Sequence, residues 1–477
     1  MGVYMSKRIA LSYTVILLIL SLFLCTSAYS TKSRLSAMGD LSIVIEDESN
    51  LINLWDFSGN PAGFLEDEKG SVIRGDFIWD TYQIKGIPYF YRDNWYTPLY
   101  KLKANGDIFD YRFCLGLRKE KNYAIGLCGN YFLRQTDSRY DKQESNYPNL
   151  QLVFSKSINP QTTMGINLGY WGYTFSFDRE PKQSYAPLYN PTDRDTVKTF
   201  WVEVGIAKKL ISGSAYGITV GYERVKIDVH YRGMSYPFHQ DNIYWGPFPY
   251  SDNHIIVHTG WISGQMVAVI DQNNKLGMDC SMRFFNNEEE SYGSSLRLYL
   301  KLHGISDISS RLRLGVFIAN TSSYFEQYDP VYTYFSSLRY KSTIFEAGGG
   351  LSFRFHQKLL AGLEYHYKDQ PQSSPRTYEW DLKIHSLNAG LESEISKSFF
   401  LRGGFVGSKI HRKPDYDHRH DTWENIITGG VGYQPTESDF TIELSYRYAF
   451  KKYRDWYGKW DVESDARTLS FSFKKGL

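Results

Sequence analysis

Along this chain, runs of alternating apolar and polar residues are joined by connections that are short and long by turns. The short ones fall near 119–122, 157–161, 209–214, 271–275, 305–309, 356–358, 395–398 and 433–438. The long ones fall near 85–107, 135–148, 178–196, 232–253, 324–341, 369–380, 411–422 and 451–465, with a medium one at 286–292. The two kinds alternate strictly. An up-and-down barrel with tight turns at one rim and long loops at the other produces that asymmetry. A Greek-key sandwich has no reason to, and a propeller would carry a blade repeat that is absent here.

The runs have the period of strands. Leu296, Leu298, Leu300 and Leu302 alternate with Arg297, Tyr299, Lys301 and His303, and Leu312, Leu314, Val316 and Ile318 answer across a turn. A period of two means one apolar face and one polar face. The pattern returns at 109–118, 200–206, 345–355 and 440–450. Counting from a first strand at 71–84 to a last at 466–474 gives about 18, with 14 and 16 as the neighbouring even counts. Segments 164–177, 216–231 and 382–391 slip phase, as bulges or extensions beyond a membrane would.

The fold class expected is therefore all-β: a transmembrane antiparallel up-and-down barrel over 71–477, with short periplasmic turns and long extracellular loops. In a barrel of this size the apolar face meets lipid and the charged face lines a wet lumen. Closure pairs the backbone groups that hydrocarbon would otherwise strand. Trp423, Tyr446, Tyr448 and Phe450 suit interfacial girdles. Composition agrees: aromatics are 17 %, with 39 Tyr and 39 Gly, and a net charge of +2 argues against nucleic acid as a partner.

The N-terminal 30 residues read as a signal peptide. Lys7 and Arg8 precede an apolar stretch from Leu11 to Cys25, and Ala28-Tyr29-Ser30 offers a cleavage site. With the barrel pattern, the expected location is the cell outer membrane, reached after export and signal-peptide cleavage. Near the other end, Leu469, Phe471 and Phe473 resemble the terminal strand of Gram-negative outer-membrane proteins, porins among them, with Lys474-Lys475-Gly476-Leu477 following it.

Residues 31–70 precede the first strand and do not alternate. They contain Trp55 and, further on, Asn60-Pro61-Ala62-Gly63-Phe64. The Asn60-Pro61-Ala62 core resembles the N-terminal segment of the long-chain fatty-acid transporter family. That resemblance implies a segment that plugs the lumen, with Trp55, Asn60, Pro61 and Phe64 in it, and hydrophobic ligands that pass through the wall. It also implies 14 strands, fewer than counted here. A plain Asn-Pro turn accounts for the same residues.

Candidate lumen residues come from the polar phase. Arg112, Arg297, Lys301, Arg311, Arg313, Arg354 and Arg447 are basic, and Glu346 and Glu443 are acidic. Arg297, Lys301, Arg311 and Arg313 share one hairpin and form the best selectivity patch, favouring anionic solutes. The plainer reading pairs such charges across the lumen to hold its shape. The loop from 231 to 254 carries Tyr236, His239, Tyr244, Trp245 and Tyr250, rings that an infolded constriction would present to a solute. His411, Asp415, Asp417, His418, His420 and Asp421 crowd another loop without a fixed metal-site spacing, so no metal is assigned. With a three-residue turn, Cys114 and Cys128 would sit opposite one another on the polar face of a hairpin, either as two small residues lining the interior or as a disulfide in an oxidising compartment.

No Gly-x-Ser-x-Gly elbow, His-Glu-x-x-His or Walker loop occurs. The chain reads as a channel or transporter rather than an enzyme, without a cofactor. The first expectation is passive passage of small solutes through a polar lumen. The alternatives are a plugged transporter for hydrophobic ligands and an outer-membrane scaffold or secretion partner. Expected partners are membrane lipid, small anionic or hydrophobic solutes, and further copies of the chain.

Overall fold

The structure, a computed structural model, describes residues 37–38, 40–41, 60–64, 71–86, 102–119, 122–137, 141–179, 192–210, 213–230, 252–287, 294–327, 338–373, 380–413, 420–435, 440–454 and 461–476. Eighteen antiparallel strands form one closed sheet. The first half runs β1 (Val72–Gly86), β2 (Leu102–Lys119), β3 (Tyr123–Asp137), β4 (Asp141–Asn159), β5 (Thr162–Arg179), β6 (Thr192–Lys209), β7 (Ala215–His230), β8 (Asp252–Val269) and β9 (Asn274–Asn287). The second half runs β10 (Ser294–Asp307), β11 (Leu312–Gln327), β12 (Leu338–His356), β13 (Leu359–Ser373), β14 (Trp380–Ser396), β15 (Phe399–Lys413), β16 (His420–Tyr433), β17 (Phe440–Arg454) and β18 (Asp461–Gly476). Each strand pairs with its chain neighbours, and β1 closes on β18 with Val72 opposite Gly476.

The faces sort as a bilayer demands. On β6 the outward series is Lys198, Phe200, Val202, Val204, Ile206 and Lys208, and Phe200 is 59 % exposed. The inward series between them contains Thr199 and Glu203, both buried. Ten residue steps at about 3.3 Å, tilted by about 40°, span roughly 25 Å, the height of a hydrocarbon band. The apolar belt thus ends in a lysine at each rim of this strand.

Two expectations are corrected. Lys474 and Lys475 do not follow the last strand; they lie in it, opposite Arg74 and Ile73, and Lys474 is buried. Nor do bulges explain the phase slips. The register shifts lie at 157–159, 354–356 and 394–396, beside the short turns, whereas β5, β7 and β14 pair without a shift through the slipped segments on β6, β8 and β15. The cause is an exchange of faces beyond the belt. Toward the long loops, Trp171 and Tyr173 of β5, Val225 and Ile227 of β7, Ile384 of β14 and Ile410 of β15 take inward positions. Arg224 and Lys226 of β7 and Lys409 of β15 take outward ones. Above the hydrocarbon the barrel reverts to the polarity of a water-soluble protein, greasy inside and charged outside.

Candidate functional site

Two short pieces of the N-terminal segment lie against the inner wall in its short-turn half. Asn60 is 2 % exposed, and its Nδ2 donates to the carbonyls of Ile206 at 3.0 Å and Ile218 at 3.5 Å. Its Oδ1 accepts from the Ala62 amide at 3.0 Å, capping the 3-10 turn Pro61–Gly63. The Asn-Pro sequence makes that turn locally: the side-chain amide caps it, and proline fills the first position, where no amide is needed. Gly165 and Gly205 make the approach feasible, because a side chain at the first would run into the Pro61 backbone and at the second into Asn60. Phe64 then packs with Cys114, Ala124, Cys128 and Val153 in one buried cluster.

The other piece sits across β14–β17. Thr428 Oγ1 donates to the Ala37 carbonyl at 2.9 Å, and Asn388 Nδ2 to the Asp40 carbonyl at 3.4 Å. Arg447 Nη1 meets Asp40 Oδ2 at 2.7 Å. Met38 and Leu41 are fully buried. Nothing in the local pattern around Ala37 and Met38 marks these contacts in advance; the inward glycines Gly390 and Gly430, where side chains would meet Met38 and Ala37, hint at a close neighbour.

Of the expected lumen charges, most are engaged in pairs. Arg112 meets Asp110 at 2.6 Å, Glu346 meets Lys368 at 2.9 Å, and Glu443 meets Arg402 at 3.0 Å. Arg402 also holds Glu392 at 2.7 Å, which makes a buried two-acid, one-base cluster. The cationic hairpin does not survive as a patch. Arg311 lies exposed in the turn between β10 and β11, off the wall, and Arg313 is held by Asp307 of the same hairpin at 2.7 Å. Arg297 donates to Ser323 Oγ at 3.2 Å, and Lys301 lies over the Phe317 ring at 5.7 Å. Arg354 stands exposed near the end of β12, at the short-turn rim. Cys114 and Cys128 face each other in register and are joined as a disulfide, while Cys280 is free. Trp55 and the aromatic loop residues Tyr236, His239, Tyr244, Trp245 and Tyr250 lie outside the described residues, as do Asp415, Asp417 and His418. Among the described residues no group of three or more metal-ligating side chains is present; His411 and Asp421 are hydrogen-bonded at 2.6 Å.

A pocket of about 290 Å³ opens on the inner wall of the second half of the barrel, lined by Phe317, Ile384 and Val406 with Glu346, His366, Lys368, Ser386 and Asn388. Its apolar floor continues across neighbouring strands. Ile384 pairs with Ile410, Val406 pairs with Ile426, and Ile426 pairs with Ala449. Val406, Ile410 and Ile426 are all inward and buried. One flank is charged: Lys368 holds Glu346, and His366 Nε2 lies 3.1 Å from Glu364 Oε2. Such a surface offers dispersion to a hydrophobic body and a few polar contacts to orient it. The sequence signal that could have found it is the phase slip itself, which puts Ile384 on the polar phase of its strand.

A second inward cluster lies on β5–β9. Glu203 accepts from Asn167 Nδ2 at 2.7 Å and from the Trp261 side chain. The Arg283 guanidinium covers the Trp261 ring at 5.2 Å. Asn167 donates its amide N–H to Glu203, whereas its Oδ1 is buried without a hydrogen-bond partner among the described residues.

No protein-family model and no curated protein matches the chain. Among solved structures, a FadL homologue of Pseudomonas aeruginosa is similar at 11 % identity and a TM-score of 0.40, covering 95 % of this chain and 99 % of its own. The toluene transporter TodX of Pseudomonas putida is similar at 12 % identity and 0.38, covering 95 % and 100 %. The copper transporter OprC is similar at 10 % identity and 0.48, covering 84 % and 80 %. At these values the likeness extends no further than the similarity itself.

Proposed function

We propose that this chain is an outer-membrane transporter for small hydrophobic or amphipathic solutes, with the 31–70 segment closing the short-turn half of the lumen. The observation that carries this reading is the apolar inner surface of the long-loop half, from Ile384 and Ile410 to Val406 and Ile426, opening into the pocket beside Phe317. A polar passive channel needs water along its wall, and aliphatic side chains at inward positions work against that. A hydrophobic solute gains from the same wall about 25 cal/mol for each Å² it removes from water. The contacts of Asn60 and Phe64, and of Ala37 and Asp40, with the inner wall of the short-turn half support a closing role for the segment.

The test is binding and uptake by the full chain in liposomes. A naphthalene-type fluorescent probe is expected to bind and to enter, and Val406→Asn with Ile426→Asn to weaken binding roughly tenfold, about 1.4 kcal/mol. Uptake of a small sugar is expected to stay at the level of empty liposomes. Steady chloride conductance by the wild-type chain without probe binding would replace this reading with a polar channel.

A further inference from the structure

The outward face of β6 and β7 carries a compact basic cluster at the upper edge of the apolar belt. Lys198 stands directly opposite Lys226, and Arg224 lies two residues from Lys226 on the same strand and opposite Phe200. All three are exposed and share the phase of Phe200, Val220 and Tyr222, the lipid-facing residues just below them. Directly opposed residues in an antiparallel pair bring their Cβ atoms to about 5 Å, and like charges so placed are destabilising. Among the described residues one acid answers: Asp228 holds Lys226 at 3.1 Å. The remaining neighbour on that face, His258 of β8, is bonded to the Tyr222 hydroxyl. Three cations against one carboxylate, at the height where headgroups begin, leave an excess of positive charge facing the membrane.

The geometry points to this cluster as a docking site for the phosphate of an anionic membrane lipid in the leaflet at the long-loop rim. The lipid's acyl chains would lie along Phe200, Val220 and Tyr222. Continuity with the apolar belt selects a lipid over a free ion, because only a lipid joins an anion to hydrocarbon at that boundary. The Arg224 guanidinium and the two ammonium groups donate charge-assisted hydrogen bonds to phosphate oxygens, and the phosphate relieves the Lys198–Lys226 repulsion. At the opposite rim the outward lysines of β4 and β6, Lys156 and Lys208, have β5 between them and form no such cluster among the described residues. This inference does not depend on what the barrel transports.

The test uses the full chain in phosphatidylcholine nanodiscs doped with phosphatidic acid, released and weighed by native mass spectrometry. The wild type is expected to retain phosphatidic acid over phosphatidylcholine, and Lys198→Ala/Arg224→Ala/Lys226→Ala to lose that preference roughly tenfold. Lys156→Ala/Lys208→Ala is expected to keep it. Should the triple alanine chain fail to fold, judged by heat-modifiable migration, the triple glutamine chain serves instead. Equal retention by the triple variant, equal loss in the opposite-rim variant, or displacement of the lipid by inorganic phosphate alone would each overturn the proposal.

Discussion

Around Arg402 the inner wall is a set of charges held in fixed partnership with Glu392 and Glu443. At Val406, four residues further along the same strand, it turns aliphatic, and Ile410 repeats this beyond the inward Ser408, which bonds Ser386. The first region is the wall of the short-turn half, where a folded-in segment docks through hydrogen bonds and an ion pair. The second faces the long loops and sets an apolar floor beside a charged flank, Lys368 with Glu346 and His366 with Glu364. One strand therefore carries a rigid polar base and a greasy vestibule. Apolar residues point outward where lipid is present and inward where it is not, so the transition marks the upper edge of the bilayer from inside the barrel.

That contrast can be broken at several depths. The largest effect is expected from Arg402→Ala, which strands two buried carboxylates. It should cost about 3–5 kcal/mol, read as a fall in the urea midpoint of the refolded barrel. Adding Glu392→Gln and Glu443→Gln to the same chain should return much of that loss. Gly165→Val comes next. Forcing a side chain under Pro61 should cost about 1–3 kcal/mol, taken from the docking of the N-terminal segment rather than from the barrel. Limited proteolysis should then cut within 31–70, and single-channel recordings should show new openings. If the segment stays protected, it is not seated through the Pro61 contact.

Asn60→Ala removes the bonds to Ile206 and Ile218 together with the cap on Ala62, and should weaken docking by about 1–2 kcal/mol. Amide exchange in 60–64 should rise while exchange in β5 and β6 does not. The smallest effect is at the turn between β8 and β9. There Asp271 accepts from the Asn274 side chain and from the Asn273 and Asn274 amides, which hold its carboxyl below the usual value. A carboxyl lowered on folding stabilises above its unfolded pKa, and that contribution disappears as pH falls through the folded one. Acid should therefore loosen this turn first at its tip, seen as faster exchange of the Asn274 amide, with Asp271→Asn removing the pH dependence.

The belt was legible in the sequence because lipid enforces period two on the outward face, and the even strand count followed from it. The alternation of short and long connections was less strict than expected, since β3 ends at Asp137 and β4 begins at Asp141, where a long loop over 135–148 was expected. The N-terminal contact was legible only at Asn60-Pro61-Ala62, where the turn is written locally. Ala37 and Asp40 carry no such local signal, since their partners, Thr428, Asn388 and Arg447, are 348 to 407 residues away. The charge cluster around Arg297 was misjudged for a related reason. A strand's polar phase says which side chains face the lumen, yet not which partners they take: Asp307 holds Arg313, Arg297 bonds Ser323, and Lys301 lies over Phe317. The pocket escaped because its floor is built from residues that violate the alternation used to find everything else.

Every strand but one pair meets a partner next to it in the chain. The exception is the seam, where β1 must find β18 and Val72 must come to lie beside Gly476. Hairpins can zip locally and in sequence, but this last contact waits for the whole barrel sequence to emerge and pays the largest loop-closure entropy in the molecule. Until it forms, both edges remain open templates for pairing with another chain. The final residues, with Lys474 already buried in the wall, are thus the latch of assembly, and a tag or truncation there should slow insertion far more than the same change in a long loop.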